Sequence, residues 1–215
     1  MKKKKNKERE MDFASEQTTL KKSRELEDLE EFSIGKIKSN KLKIIKEKNL
    51  MRETILDEGN YGKVEKGIYK GKKVAIKTYS DPEKSSSEVE ILATLNQHEN
   101  IIELIGMIPS GNKGVYLSMI TGLMEMNLET LFLDNKCQLD FKSTLEIALK
   151  VSRGLNHLHQ NLILHGDLKP KNILFTFSDK SVKIADFGHS KKLEKKDDLI
   201  DFTKGSAIFL AYNFF

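Results

Sequence analysis

The sequence predicts an α+β fold with strands first and helices after, and three stretches predict it. ETILDEGNYGKVEKGIYKGKKVAIKTY (53–79) alternates apolar and β-branched residues with polar ones between glycine turns, which reads as two or three strands. Behind a serine run, Ile91, Leu92 and Leu95 recur at helical spacing. FKSTLEIALKVSRGLNHLHQ (141–160) spaces Leu145, Leu149, Leu155 and Leu158 like an amphipathic helix packed on a core.

The chain has 215 residues, room for one ordinary domain and an extension. An apolar fraction of 38% and a charged fraction of 32% suit a globular protein with a charged surface. Cys137 is the single cysteine, so no intramolecular disulfide can form, and it reads as a small buried hydrophobe. No apolar run has the length of a bilayer span, and the basic start lacks an apolar signal core. These features point to the cytoplasm, with the nucleus as the alternative.

The net charge of +5 is concentrated at the start, where MKKKKNKERE carries +4 of it. No aromatic interleaves these lysines, so base stacking has no support, and neither specific nucleic-acid binding nor membrane binding is predicted. A solvated tail is the expectation, and residues 1–45 are assigned to a charged, flexible extension. Leu26 and Leu29 within it allow a marginal helix.

From residue 46 each element contributes something chemical. Gly59 and Gly62 bracket Asn60 and Tyr61 in the first turn, and Lys70-Gly71 makes the second. Glycines so placed let backbone amides approach a phosphate chain, although a structural hairpin explains them equally well. The next strand ends in VAIK, which puts the Lys77 ammonium below the same loop. Glu88 on the following helix carries two readings: an S-x-x-E capping box with Ser85, or an ion pair reaching back to Lys77. LHGDLKPKNILF (164–175) interrupts an apolar run with Asp167, Lys169 and Asn172, a polar loop pinned to a core. SVKIADFGHS (181–190) is a further short strand that delivers Asp186 before Phe187 and Gly188.

Taken in order, the glycine loop, VAIK, helix glutamate, HxDLKxxN and DFG resemble the eukaryotic protein-kinase family from about Leu50 to the C-terminus. GIYKGKKVAIK and ENIIELIGM look most like the tyrosine-kinase-like branch, while DLKP resembles serine/threonine kinases. The resemblance implies two lobes: a β-rich N-lobe with one helix over residues 46–121, and a partial helical C-lobe over 122–215 that ends in the activation segment. ATP and Mg2+ would lie between them, and a protein hydroxyl would be the substrate.

The resemblance also assigns roles. Asp167 takes or orients the substrate hydroxyl proton, and Lys169 steadies the moving phosphate's charge. Lys77 pairs with the earlier phosphates and Glu88 orients it. Asn172 and Asp186 are hard oxygen ligands for magnesium. Leu56, Gly59, Asn60 and Gly62 belong to the nucleotide loop; Val64, Ala75 and Leu174 enclose adenine, with Met119 behind them. The short helix NLETLFL follows the hinge.

Four departures stand against that pattern. Asp57 replaces the first loop glycine, adding a negative charge near the nucleotide. Gly166 replaces the arginine that clamps a phosphorylated activation segment, so control through Thr203 or Ser206 by that arginine is not expected. Tyr212 and Asn213 stand where the family has proline and glutamate. The chain then stops, and the column Leu92, Leu104, His165 and Phe187 is expected to lack its base. A C-terminally truncated kinase exposing apolar surface to a covering partner is the resulting expectation. Two alternatives stay open: a catalytically impaired pseudokinase or scaffold, and a small-molecule phosphotransferase, which HGD with its following asparagine also resembles.

Overall fold

A computed structural model describes residues 43–59, 62–80, 82–95, 97–109, 117–133 and 139–195. Asn60, Cys137, Thr203, Ser206, Tyr212 and Asn213 lie outside the described residues, as does the basic tail.

The first half builds one antiparallel sheet. Its strands are β1 (Leu50–Gly59), β2 (Gly62–Tyr69), β3 (Lys72–Tyr79), β4 (Leu104–Pro109) and β5 (Leu117–Gly122), in the order β1-β2-β3-β5-β4. Helix α1 (Pro82–Thr94) crosses between β3 and β4. The alternation of period two sorts β3 onto two faces. Val74 and Ile76 are fully buried on one face with Tyr69, Ile108 and Ile120, while Tyr79 joins the core that contains α1.

The residues just before β1 belong to this packing. Ile45 N–H donates to the Met107 carbonyl at 2.8 Å, Met107 N–H donates to the Lys43 carbonyl at 2.9 Å, and the Ile45 side chain is 2% exposed. The packed region therefore includes Lys43–Ile45, three residues that the sequence reading assigned to the extension. Arg52 closes the same face with a polar cluster: it pairs with Glu47 and Glu65 and reaches the hydroxyls of Thr78 and Ser118.

The second half holds β6 (Met126–Asn127), α2 (Leu128–Leu133), α3 (Phe141–Gln160), β7 (Ile163–Leu164), β8 (Ile173–Thr176), β9 (Ser181–Ile184) and β10 (Lys191–Lys192). β6, β8 and β9 form one small sheet, and β7 with β10 another. Asn127 caps α2 by accepting from Thr130 N–H at 2.8 Å, and Asp140 caps α3 by accepting from Ser143 N–H at 2.7 Å. One apolar core spans both halves, because Ile102 N–H meets the Ile184 carbonyl and Ile184 N–H meets the Asn100 carbonyl, each at 2.9 Å.

One expectation about α3 is corrected. Its buried stripe is Ile147, Gly154 and Leu158, flanked by Val151 and Leu155, whereas Leu145 and Leu149 are 58% and 51% exposed. With Phe141, these two leucines form a second stripe at four-residue spacing that faces out among the described residues.

Candidate active site

The site lies where β3, α1, the loop after β7 and the segment after β9 converge. Lys77 is on the face of β3 opposite Ile76, in register with Val64 on β2 and Met119 on β5. Its ammonium lies 2.8 Å from Glu88 Oε2 and 2.7 Å from Asp186 Oδ1. Burial alone pushes that ammonium's pKa down, but Glu88 and Asp186 outweigh it, so Lys77 stands above the ordinary lysine value. Burial likewise pushes Asp186 up, and the Lys77 charge brings it net below the ordinary aspartate value.

Glu88 is 1% exposed and fully engaged. Oε2 accepts from Lys77 and from the Tyr79 hydroxyl at 2.7 Å, and Oε1 accepts from Phe187 N–H at 3.1 Å. Because α1 begins at Pro82, Ser85 lies inside the helix rather than at the N-cap position that a capping box needs. Of the two readings of Glu88, the ion pair is the one the fold contains.

Across the cleft, Asp167 Oδ2 lies 2.6 Å from the Lys169 ammonium. Asn172 spends its side-chain N–H groups on the Asp167 carbonyl at 2.7 Å and Asp167 Oδ2 at 3.1 Å. The Asn172 amide oxygen is thus the atom left to face a cation, and it is a hard oxygen ligand, as is the Asp186 carboxylate. Among the described residues no group of three or more His, Cys, Asp or Glu side chains is disposed to hold a metal ion. Asn172 and Asp186 are thus two oxygen donors, short of the three side chains that would make such a group.

His165 fixes the backbone between these groups. Asp167 N–H donates to Nδ1 at 3.3 Å, which leaves Nε2 to carry the proton toward the Ala185 carbonyl at 3.0 Å. Burial holds the imidazole below the ordinary histidine value. The ring packs on Phe187 with centroids 5.1 Å apart, and Phe187 is fully buried in the core shared with Leu92, with Leu104 packed beside it. Asp186 adopts φ +63°, a left-handed conformation that aspartate tolerates better than most residues, and Gly166 adopts φ +79°.

The remaining expected residues surround this centre unevenly. Val64, Ala75 and Leu174 are partly buried, and Met119 is 3% exposed. Leu56 is 51% exposed on β1, and Gly59 ends that strand. Gly62 opens β2 at φ +123° with its α-carbon against the backbone of Thr78 and Tyr79. Asp57, the departure from the glycine pattern, reaches across the cleft to Lys171, with Oδ2 3.5 Å from the ammonium. Sequence reasoning missed Tyr79; its signal was available, since two residues beyond Lys77 on a strand is the same face.

Comparison with known proteins adds independent findings. A family model described as protein kinase domain matches residues 50–212. A probable LIM domain-containing serine/threonine-protein kinase of Dictyostelium discoideum is 34% identical over 75% of this chain and 26% of its own length. The Arabidopsis thaliana serine/threonine-protein kinase TIO is 31% identical over 73% of this chain and 12% of its own. A leaf rust 10 disease-resistance locus receptor-like protein kinase-like protein from the same plant is 30% identical over 85% of this chain and 30% of its own. The chain thus spans less than a third of the length of these relatives.

Proposed function

This chain belongs to the protein kinase family, and on that premise we propose that it transfers the γ-phosphoryl group of ATP to serine or threonine hydroxyls of proteins. The observation that carries the reading is the Lys77 ammonium held between Glu88 and Asp186, facing a carboxylate, Asp167, that has its own cation at 2.6 Å. Phosphoryl transfer asks for position and charge compensation rather than covalent help, and these groups supply both.

Lys77 binds the non-transferred phosphates. The substrate hydroxyl oxygen bonds to the γ-phosphorus as the bond to the bridging oxygen breaks; its proton passes to Asp167, and Lys169 balances charge on the moving group. Asn172 and Asp186 would hold magnesium, which when bound neutralises phosphate oxygens. Leu56, Val64, Ala75, Met119 and Leu174 line the adenine side, with Gly59 and Gly62 over the phosphates. The printed names of two of these relatives, both serine/threonine-protein kinases, and Lys169 in DLKP support the substrate class.

The apolar residues exposed on α2 and α3, Phe132, Leu133, Phe141, Leu145 and Leu149, support a covering partner. No described helix is long and apolar enough to cross a membrane. A cytoplasmic location is proposed from the lone cysteine.

The test is transfer from radiolabelled ATP to a peptide library and to a panel of soluble alcohols, by the wild type and Asp167→Asn. Labelling of serine or threonine peptides that Asp167→Asn abolishes, while Mg-ATP affinity stays within about threefold, is the expected result. Equal transfer by the variant sinks the catalytic assignment, and labelling of alcohols instead of peptides moves the chain to the small-molecule phosphotransferases.

A further inference from the structure

We infer that Tyr79 is a positioning residue of this site, acting through Glu88 to hold Lys77 in place for the phosphates. The inference rests on the nucleotide-binding reading above and deepens it.

Three observations carry it. The Tyr79 hydroxyl donates to Glu88 Oε2 at 2.7 Å, the same oxygen that pairs with Lys77. The Tyr79 ring lies 5.1 Å below the Lys77 ammonium, within cation–π range. Tyr79 is 3% exposed and set among Val89, Leu92 and Met119 of the main core, so its hydroxyl is delivered by a fixed side chain. Among the described residues, Met119 Sδ, a weak acceptor at 3.7 Å, is the one competitor for that proton.

The arrangement matters because Lys77 has two duties. Without nucleotide its charge is divided between Glu88 and Asp186. Phosphate draws the ammonium away from both, and Glu88 then loses part of its strongest partner inside a buried site. A buried carboxylate short of donors is costly and shifts until it finds others. Tyr79 and Phe187 N–H keep it supplied, and Tyr79 does so from the strand that bears Lys77, so α1 and β3 stay in register while the ammonium moves. Burial, and then the neighbouring Glu88, push the phenol's pKa well above the ordinary tyrosine value, so it remains a donor at any pH used for assay.

Tyr79→Phe removes the hydroxyl and keeps the ring under the ammonium. Isothermal titration of the full chain with Mg-ATP and with adenosine, at a temperature where both proteins are folded, reads the consequence. Expected is Mg-ATP binding weaker by roughly three- to tenfold with adenosine affinity unchanged, and no further loss when Tyr79→Phe is added to Lys77→Met. A purely structural role lowers the melting point and leaves both affinities of the folded protein intact, which would overturn the inference, as would equal weakening of adenosine or an undiminished effect in the Lys77→Met background. If Tyr79→Phe does not fold, p-aminophenylalanine at position 79, which retains an N–H donor, carries the test. Mg-ATP affinity within about twofold of wild type supports the donor role, and a loss like that expected of phenylalanine overturns it. Absence of Mg-ATP binding by the wild type refutes the nucleotide reading and this inference together; binding by wild type that Tyr79→Phe shares refutes this inference alone.

Discussion

Gly62 and Gly59 flank the same turn, yet a single methyl group added to each should have opposite consequences. At Gly62 the new Cβ would stand 2.0 Å from the Thr78 carbonyl oxygen, and φ is +123°, a conformation that L side chains rarely adopt. The carbonyl cannot withdraw, because Thr78 pairs with Lys63 on one side and Ser118 on the other in the middle of the sheet. Backbone strain of about 1–3 kcal/mol and overpacking of about 1–3 kcal/mol combine to roughly 3 kcal/mol for Gly62→Ala. For a domain of this size that lowers the melting midpoint by about 6–12 °C. At Gly59 nothing lies within 4 Å of the added Cβ and φ is ordinary, so Gly59→Ala should stay within about 0.5 kcal/mol of wild type. Differential scanning fluorimetry of the two variants, without nucleotide, gives the comparison directly. Midpoints for the two that agree within about 2 °C, a shift worth under about 1 kcal/mol, would refute the claim that β2 is held against β3 at this end.

Other outcomes follow from the same geometry. Phe187→Ala removes a fully buried ring and should cost about 3–5 kcal/mol in denaturant unfolding, against under about 1 kcal/mol if the ring is not part of the core. His165 and His98 both sit below the ordinary histidine value, chiefly through burial. The unfolded chain therefore binds more protons below about pH 6.5, and stability should fall as pH drops from 7 to 5; flat urea midpoints across that range would contradict a neutral buried His165. Asp57→Gly removes an exposed pair with Lys171, so stability should change by less than about 1 kcal/mol. The same variant takes a negative charge away from the phosphates, worth about 0.6 kcal/mol for a separation near 7 Å in water, so Mg-ATP affinity should rise roughly threefold at low salt and less at high salt. A weaker affinity would show that the cross-cleft pair helps nucleotide binding instead.

Much of the centre was legible because its chemistry is carried by residues whose sequence neighbours fix their direction. Lys77 closes an apolar strand and Glu88 precedes a helical apolar stripe, so their ion pair could be offered from the sequence; the contact of Asp186 with Lys77 was not among its expectations. The outward face of α3 was not legible for a concrete reason. Phe141, Leu145 and Leu149 form one stripe at four-residue spacing, and Ile147, Val151, Gly154 and Leu158 form another at three- and four-residue spacing. Periodicity finds both and cannot say which the neighbouring strands cover. Lys43–Ile45 were missed because a segment that pairs through a few residues shows no period at all. The Arg52 cluster escaped notice because its acceptors come from β2, β3, β5 and the turn before β1, positions that only strand register brings together.

Gly166 has so far been described as the residue standing in for an arginine, but its φ of +79° gives the exchange a direction. An arginine placed there would have to hold a left-handed backbone, at about 1–2 kcal/mol, or rotate the peptide that carries Asp167 N–H onto His165. A Gly166→Arg variant should therefore meet a conformational cost before it gains any charge.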